Sequence, residues 1–492
     1  MKLLLAFCFT WSSLSLFSQL EKVDISLDEV IRIAQGEAPR ALIAQTRFSN
    51  NYWRYQSFLA NYKPQLVFVS TIPNLNRSID NIVLPDGTEK FINRSLMNSS
   101  AGIEMRQRIH QTGGFIYGST NLNRIDLFGT NSGKSYLSAP LRFGFIQPLF
   151  QFNSDKWFRQ IQGLDYESSK KQYAEEKAQI AYDAVNLFFE LYVAQLNLQE
   201  ARRQKIYVDS LYEVSLGRFD VGRIAETDLL QIELRTKNAD TEVATELLNY
   251  QTANEQLRTF IGVKDNVEFN LLDPETLPEY AIDAGTALEY AKRYRSQTTE
   301  FRIRLLQAQM NMDEARKSGG VNVDLSGSFG LSQTGPTLVD AYRNPIDQEG
   351  LTLSLEIPIA DWGKNRSERE IAKSNLELTQ RTIELENVNF EREVVLRVQQ
   401  FELKRSQLAL ARRAADVAEK RVDIAKSRYQ IGKIDVTELN IALNEYETAR
   451  RGYFQSLWAL WTAHYEIRNL TLFDFITDKK LADENIDIQS FR

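Results

Sequence analysis

Two spacings of apolar residues take turns along this chain. Short stretches alternate apolar and polar residues one by one, the period of a half-buried β-strand; long stretches return an apolar residue every three or four positions, the period of an amphipathic helix. Ser26-Leu27-Asp28-Glu29 has the spacing of a capping box, and the pattern beyond it predicts a helix over 26–62, closed by Pro64. Leu66 and Phe68 share one face of a strand predicted over 65–72. A second strand, 139–148, sets Leu141, Phe143 and Phe145 against Arg142, Gly144 and Ile146 and ends at Pro148. Helices over 154–216 and 226–260 follow. In the first of these Ile180, Ala184, Leu187, Leu191, Ala194 and Leu198 step by 4, 3, 4, 3, 4, a coiled-coil seam.

The same order then returns. A helix over 286–317 opens on Thr286 and Glu289, spaced as a second capping box, and Gly319-Gly320 stops it. Strands are predicted over 321–331 and 350–358, and helices over 364–427 and 436–470. In the second strand Leu351, Leu353 and Leu355 alternate with Thr352, Ser354 and Glu356; its end, Pro358, lies 358 − 148 = 210 residues after Pro148. The long helices, each sixty-odd residues, make rods of roughly 90–95 Å at 1.5 Å per residue. Near the end of the second, Ala411, Ala415, Ala418, Val422 and Ala425 form a seam of small side chains, so neighbouring helices should approach closely there.

Between the long helix and the return helix of each half the sequence nearly repeats itself. Arg218-Phe219-Asp220-Val221-Gly222-Arg223-Ile224 is matched by Arg428-Tyr429-Gln430-Ile431-Gly432-Lys433-Ile434, again at +210. Gly222 and Gly432 supply the permissive backbone a sharp helix reversal needs. Thr227 and Thr437 are expected to cap the returning helices, with Asp228 and Glu438 at the positive end of the helix dipole. The chain thus divides into a first repeat over 19–262, a linker over 263–282 marked by Pro274 and Pro278, a second repeat over 283–471 and a tail over 472–492. The first strands match at +257, so the first repeat carries 257 − 210 = 47 extra residues between its strands. They suggest an added hairpin over 99–124 around Thr112-Gly113-Gly114, with Glu104, Arg106, Arg108 and His110 on one side. Whether that hairpin joins the other strands or stays in water is open at this level.

Composition narrows the class. Only 23 glycines and 11 prolines in 492 residues favour long uninterrupted elements. Lys2, the apolar run 3–17 and Ser18-Gln19 read as a signal peptide over 1–18. The only cysteine, Cys8, lies inside it, so thiol chemistry is not expected. No later stretch reaches 18 consecutive apolar residues, so no transmembrane helix is expected, and a β-barrel is the remaining route into a membrane. A net charge of −6 argues against nucleic acid as partner. His110 and His464 are the only histidines, and no Ser-His-Asp set, HExxH or phosphate loop appears, so neither an enzyme nor a cofactor or metal site is expected.

Two core strands per repeat give four per chain, too few to enclose an interior, and open edges are not viable in lipid. Three chains give twelve strands and six helical hairpins. The expected fold class is therefore mostly α with a transmembrane β-barrel portion: a two-fold repeat of long helical hairpins and paired strands, in a trimeric α-barrel plus β-barrel. On its faces, Phe143, Phe145, Leu353 and Leu355 should meet lipid, and Arg142, Thr352 and Glu356 the lumen.

At this point the chain resembles the TolC family of outer-membrane channels. The resemblance rests on the start Ser26-Leu27-Asp28-Glu29-Val30-Ile31-Arg32-Ile33-Ala34, on Gln147-Pro148-Leu149-Phe150 and Ile357-Pro358-Ile359 at the strand ends, and on the doubled Arg-Phe/Tyr-x-x-Gly turn. It implies an outer-membrane homotrimer with a long periplasmic portion, a passive conduit of a tripartite efflux or type I secretion system. It also implies docking on a periplasmic adaptor paired with an inner-membrane pump. By the same resemblance Arg218, Phe219, Gly222, Arg428, Tyr429 and Gly432 form the adaptor-docking tip, and Asp228, Tyr429 and Glu438 the entrance gate. Ile434 and Ile441 stand where some members carry an arginine and a second acid. The rival reading is a periplasmic adaptor or other coiled-coil protein without a pore.

Overall fold

Ser26 opens the first helix as its spacing predicts. In the computed structural model, which describes residues 21–129, 132–265, 267–274, 277 and 280–481, the Ser26 N–H donates to the Glu29 carboxylate at 3.1 Å. The Glu29 N–H donates back to the Ser26 hydroxyl at 3.4 Å. The elements are, in order, β1 (Glu21–Ile25), α1 (Leu27–Gly36), α2 (Pro39–Ala60), β2 (Gln65–Val83), β3 (Glu89–Ile109), β4 (Gly114–Phe128), β5 (Gly133–Leu149), α3 (Ser154–Asp220), α4 (Glu226–Ile261), β6 (Val267–Leu271), α5 (Ala284–Tyr294), α6 (Ser296–Lys317), β7 (Asn322–Gly335), β8 (Ile346–Glu356), α7 (Lys364–Gln430), α8 (Val436–Thr471), β9 (Phe473–Asp474) and β10 (Lys479–Lys480). The segment expected as a signal peptide, Pro278 of the linker, and the tail from 482 lie outside the described residues.

Several boundaries differ from expectation for local reasons. The helix expected over 26–62 is two helices, because Pro39 has no N–H to donate and fits only the first position of a new one. The helix expected over 286–317 breaks at the matched place, Arg295, which is extended (φ −72, ψ 151). The Thr298 hydroxyl donates to the Lys292 carbonyl there at 2.9 Å. Thr286 is not the cap of this helix, which already begins at Ala284. The Asp283 carboxylate takes the Thr286 N–H at 2.8 Å and hydroxyl at 2.9 Å. The expected linker contains β6, which pairs in parallel with β1, Glu21 opposite Val267 through Ile25 opposite Leu271. Two buried amides hold β6. Asn254 donates to the Val267 carbonyl and accepts from the Phe269 N–H, and Gln195 does the same with Leu271.

Two compact units result. Among the described residues, one gathers 21–46 with Tyr173–Ala291 and 393–481; the other holds Arg47–Gln172 and Lys292–Arg392. The first unit's core is the expected seam of α3, with Ile180, Ala184, Leu191, Ala194 and Leu198 buried and Phe188, Phe189 and Leu257 wholly enclosed beside them. The second unit is built on a six-stranded antiparallel sheet in the order β2-β3-β4-β5-β7-β8. This corrects the expected four core strands. The added hairpin is longer than 99–124, and β3 and β4 stand in the sheet between β2 and β5.

Candidate functional site: a two-faced sheet and a paired helical turn

Directly opposite residues in a sheet share a face, so the register fixes which side chains lie together. Phe145 is opposite Ile116 on β4 and Gly327 on β7, and Gly327 is opposite Leu351 on β8. Phe143 is opposite Phe329, and Leu325 opposite Leu353. Continuing to β3 and β2, this face carries Met105 and Ile103, with Leu66 and Phe68 opposite them. The other face carries more polar residues, with Val67, Phe115, Tyr117 and Ile146 among them. Arg142 is opposite Ser119 and Gly330, Ser119 opposite Glu104, and Ser326 opposite Thr352. Glu104 and Arg106 pair at 2.6 Å on it. Glu104, Arg106 and Arg108 share this face, as their spacing in the sequence expects. Glycines opposite aromatics keep both faces tight: a side chain at Gly144 would strike the Tyr117 ring, and one at Gly327 the Phe145 ring.

The turns form from the same four-residue logic twice. Gly222 and Gly432 have φ of +71° and +73°. In the first, Gly222 N–H donates to the Phe219 carbonyl at 2.8 Å and Arg223 N–H to the Arg218 carbonyl at 2.9 Å. In the second, Gly432 N–H donates to Tyr429 and Lys433 N–H to Arg428, both at 2.9 Å. These are the two bonds of a Schellman stop, in which a left-handed glycine lets the chain satisfy the last helical carbonyls. The expected threonine caps are corrected. The helices start at Glu226 and Val436, so Thr227 and Thr437 are already second helical residues. Asp435 caps α8 by accepting the Glu438 N–H at 2.8 Å, whereas the methyl group of Ala225 before α4 cannot accept a hydrogen bond.

Behind the turns, Leu211 of α3, Ile232 of α4, Val422, Ala425 and Tyr429 of α7, and Leu439, Ala442 and Leu443 of α8 share one core. Val422 and Ala425 are buried in it, and Ala411, Ala415 and Ala418 half-buried farther back. Tyr429 is buried under Arg218, whose guanidinium lies 5.5 Å from the ring centre and donates to the Gln430 carbonyl at 3.4 Å. Its counterpart Phe219 is exposed, as are Arg428 and Glu438; Asp228 is half-buried. The two copies of the turn share a backbone but present different side chains.

The profile of the outer membrane efflux protein family matches residues 108–263 and 291–471. The chain belongs to this family. Solved structures agree with the fold at low identity. CusC is 15% identical with a TM-score of 0.64, covering 91% of this chain and 92% of that one. The CmeC outer membrane channel of Campylobacter jejuni is 14% identical with a TM-score of 0.65, covering 94% and 88%. The open state of the MtrE outer membrane channel of Neisseria gonorrhoeae is 16% identical with a TM-score of 0.59, covering 90% and 88%. A search of curated protein sequences found no match. The fold class is that of this family's channels, trimeric assemblies of an α-barrel and a β-barrel, and the family is one of efflux channels rather than enzymes. No helix among the described residues is long and apolar enough to cross a membrane.

One feature of these helices escaped the sequence reading. On α7, Leu396, Leu403, Leu410, Val417 and Ile424 recur at intervals of seven, followed by Ile431 just past its end, and every one is more than half exposed. The buried seam of α7 lies elsewhere on the helix, through Val394, Val398 and Phe401. A second apolar stripe on one helix signals a second packing partner.

Proposed function

We propose that three copies of this chain form a passive outer-membrane conduit of a tripartite efflux or type I secretion system. The sheet lies in the outer membrane and the long helices reach into the periplasm. The six turns dock on a periplasmic adaptor that serves an inner-membrane pump. One observation carries this reading: a sheet with one apolar and one more polar face has both edges unpaired, so a water-filled wall is completed only by further copies. The exposed α7 stripe supports it, since a lone chain gains nothing from a row of exposed leucines. Family membership supports the conduit; adaptor and pump follow from the family resemblance of the paired turns. In this reading Asp228 and Glu438 of three chains put six carboxylates at the entrance, with Tyr429 packed behind them. The adaptor reading needs one hairpin on a small β-rich module, which two hairpins and a two-faced six-stranded sheet oppose.

The test is at the turns. Apart from its immediate chain neighbours, a Cβ at Gly222 or Gly432 meets no heavy atom within 4 Å, so a substitution there faces mainly backbone strain, roughly 1 kcal/mol or more each. Gly222→Val with Gly432→Val should leave trimer abundance normal while adaptor cross-linking weakens and transport is lost. Charge reversal at Arg218 and Arg428 should act the same way, more mildly. Trimers that dock and transport like the parent would reduce the doubled turn to a helix stop.

A further inference from the structure

Six strands per chain change what three chains close. We propose that β8 of one copy pairs with β2 of the next, and that the three sheets together make a single barrel of eighteen strands rather than twelve. The inference rests on the trimeric conduit above and adds the size and composition of its wall.

Three observations carry it. First, β3 and β4 are paired along their length into the sheet. β2 meets β3 from Gln65 opposite Arg106 to Val83 opposite Glu89, β3 meets β4 from Ser95 opposite Phe128 to Ile109 opposite Gly114, and β4 meets β5 from Phe115 opposite Ile146 to Leu127 opposite Gly133. A hairpin lying outside the wall would leave β2 beside β5, where the second repeat has β7 beside β8. Second, the sorting of faces continues into the part of the hairpin beside Phe143 and Phe145: Ile103, Met105 and Ile116 lie on their side, Glu104 and Ser119 on the side of Arg142, and charges such as Arg124 and Asp126 join the first side only farther along β4. A hairpin surrounded by water has no reason to keep that alternation in register with a membrane wall. Third, six is even. Every neighbouring pair is antiparallel, so β2 and β8 run in opposite directions and can join as one more antiparallel pair. Among the described residues β2 pairs only with β3 and β8 only with β7. Every residue of β8 and the first thirteen of β2 are exposed. The junction brings Leu66 and Phe68 beside Leu351, Leu353 and Leu355, closing the apolar band around the ring.

Barrel diameter grows roughly linearly with strand number, so eighteen strands make a pore about half again as wide as twelve, with about twice the cross-section. That is the strand number at which porins hold an open aqueous channel. The outer pore is then suited to bulky hydrophilic cargo, and any narrowing lies elsewhere along the conduit.

Images of the detergent-extracted trimer at strand resolution should show eighteen strands. Twelve strands with β3 and β4 outside the wall overturn the inference and leave the trimeric conduit standing; absence of a trimer overturns both. Paired cysteines give the same answer without images, because Cys8 is the chain's only cysteine. Phe68 is opposite Ile103, so Phe68→Cys with Ile103→Cys should bridge within one chain. If β2 instead lay beside β5 as β7 lies beside β8, Leu325 opposite Leu353 would translate to 325 − 257 = 68 opposite 353 − 210 = 143. Phe68→Cys with Phe143→Cys should therefore fail to bridge, and an efficient bridge between them would overturn the proposal.

Discussion

Leu353 and Ser354 are neighbours on β8 with opposite surroundings. Leu353 lies opposite Leu325 on the apolar face and Ser354 opposite Asp324 on the more polar one. Single cysteines at the two positions should label oppositely with lipid-phase and aqueous reagents; equal labelling would refute the assignment of faces. Leu353→Arg should cost about 2–4 kcal/mol if the site is near the membrane midplane, read as lost trimer in the outer membrane. A second residue reports on the helical unit. His464 is buried against Tyr280, Trp461 and Tyr465, and burial pushes its imidazole down from 6.5 to about 3, with the nearby Arg468 acting in the same direction and Asp474 against it. The unfolded chain therefore binds this proton first. Stability present above about pH 6.5 is lost as pH falls toward 3, by up to about 1.4 kcal/mol per pH unit. His464→Leu should flatten the fall of melting temperature across that window, and an unchanged slope would show that other groups set it. At this scale the left-handed glycines were legible, because only a repeated stop explains a repeated Arg-x-x-x-Gly. The caps were not: Asp283 and Asp435 do the work expected of Thr286 and Thr437, since a cap is set by where the chain turns helical and a threonine inside the first turn looks the same in sequence.

The stripe on α7 shows what periodicity hides when one helix serves two neighbours. Leu396 through Ile431 at steps of seven overlie the buried seam through Val394, Val398 and Phe401, and the two merge into a merely apolar helix when read along the chain. A strict seven-residue repeat drifts about 20° per turn pair on a straight helix, so these six residues stay on one line only if the helices supercoil left-handedly. Leu403→Glu with Leu410→Glu should leave a lone chain almost indifferent, since both side chains already face water there. In the assembly each lost leucine contact should cost roughly 1.5–3 kcal/mol, and the trimer should dissociate at lower temperature on native gels. An unchanged trimer would mean that the stripe is no seam between copies. Among the other elements, the long helices and both matched strands were legible from spacing alone. The break before Pro39 was missed, because a proline at the first turn of a helix looks the same in sequence as one inside it. The extent of β2 to β4 was not legible either, because polar residues such as Asn74, Asn76 and Arg77 interrupt the apolar alternation while the backbone ladder continues past them. Nor was β6, whose Val267, Phe269 and Leu271 were overshadowed by the prolines that follow.

For the molecule as a whole, the internal repeat was the decisive signal, because a constant offset of 210 residues ties turns, prolines and strands into one architecture. The count of wall strands escaped it, since the hairpin that adds two has no counterpart in the second repeat. Self-assembly is the claim on which conduit, docking and wall all depend, and native mass measurement of the protein extracted in detergent from outer membranes tests it most directly. The account predicts three copies of the chain in one stable complex. A stable, water-soluble monomer would contradict it.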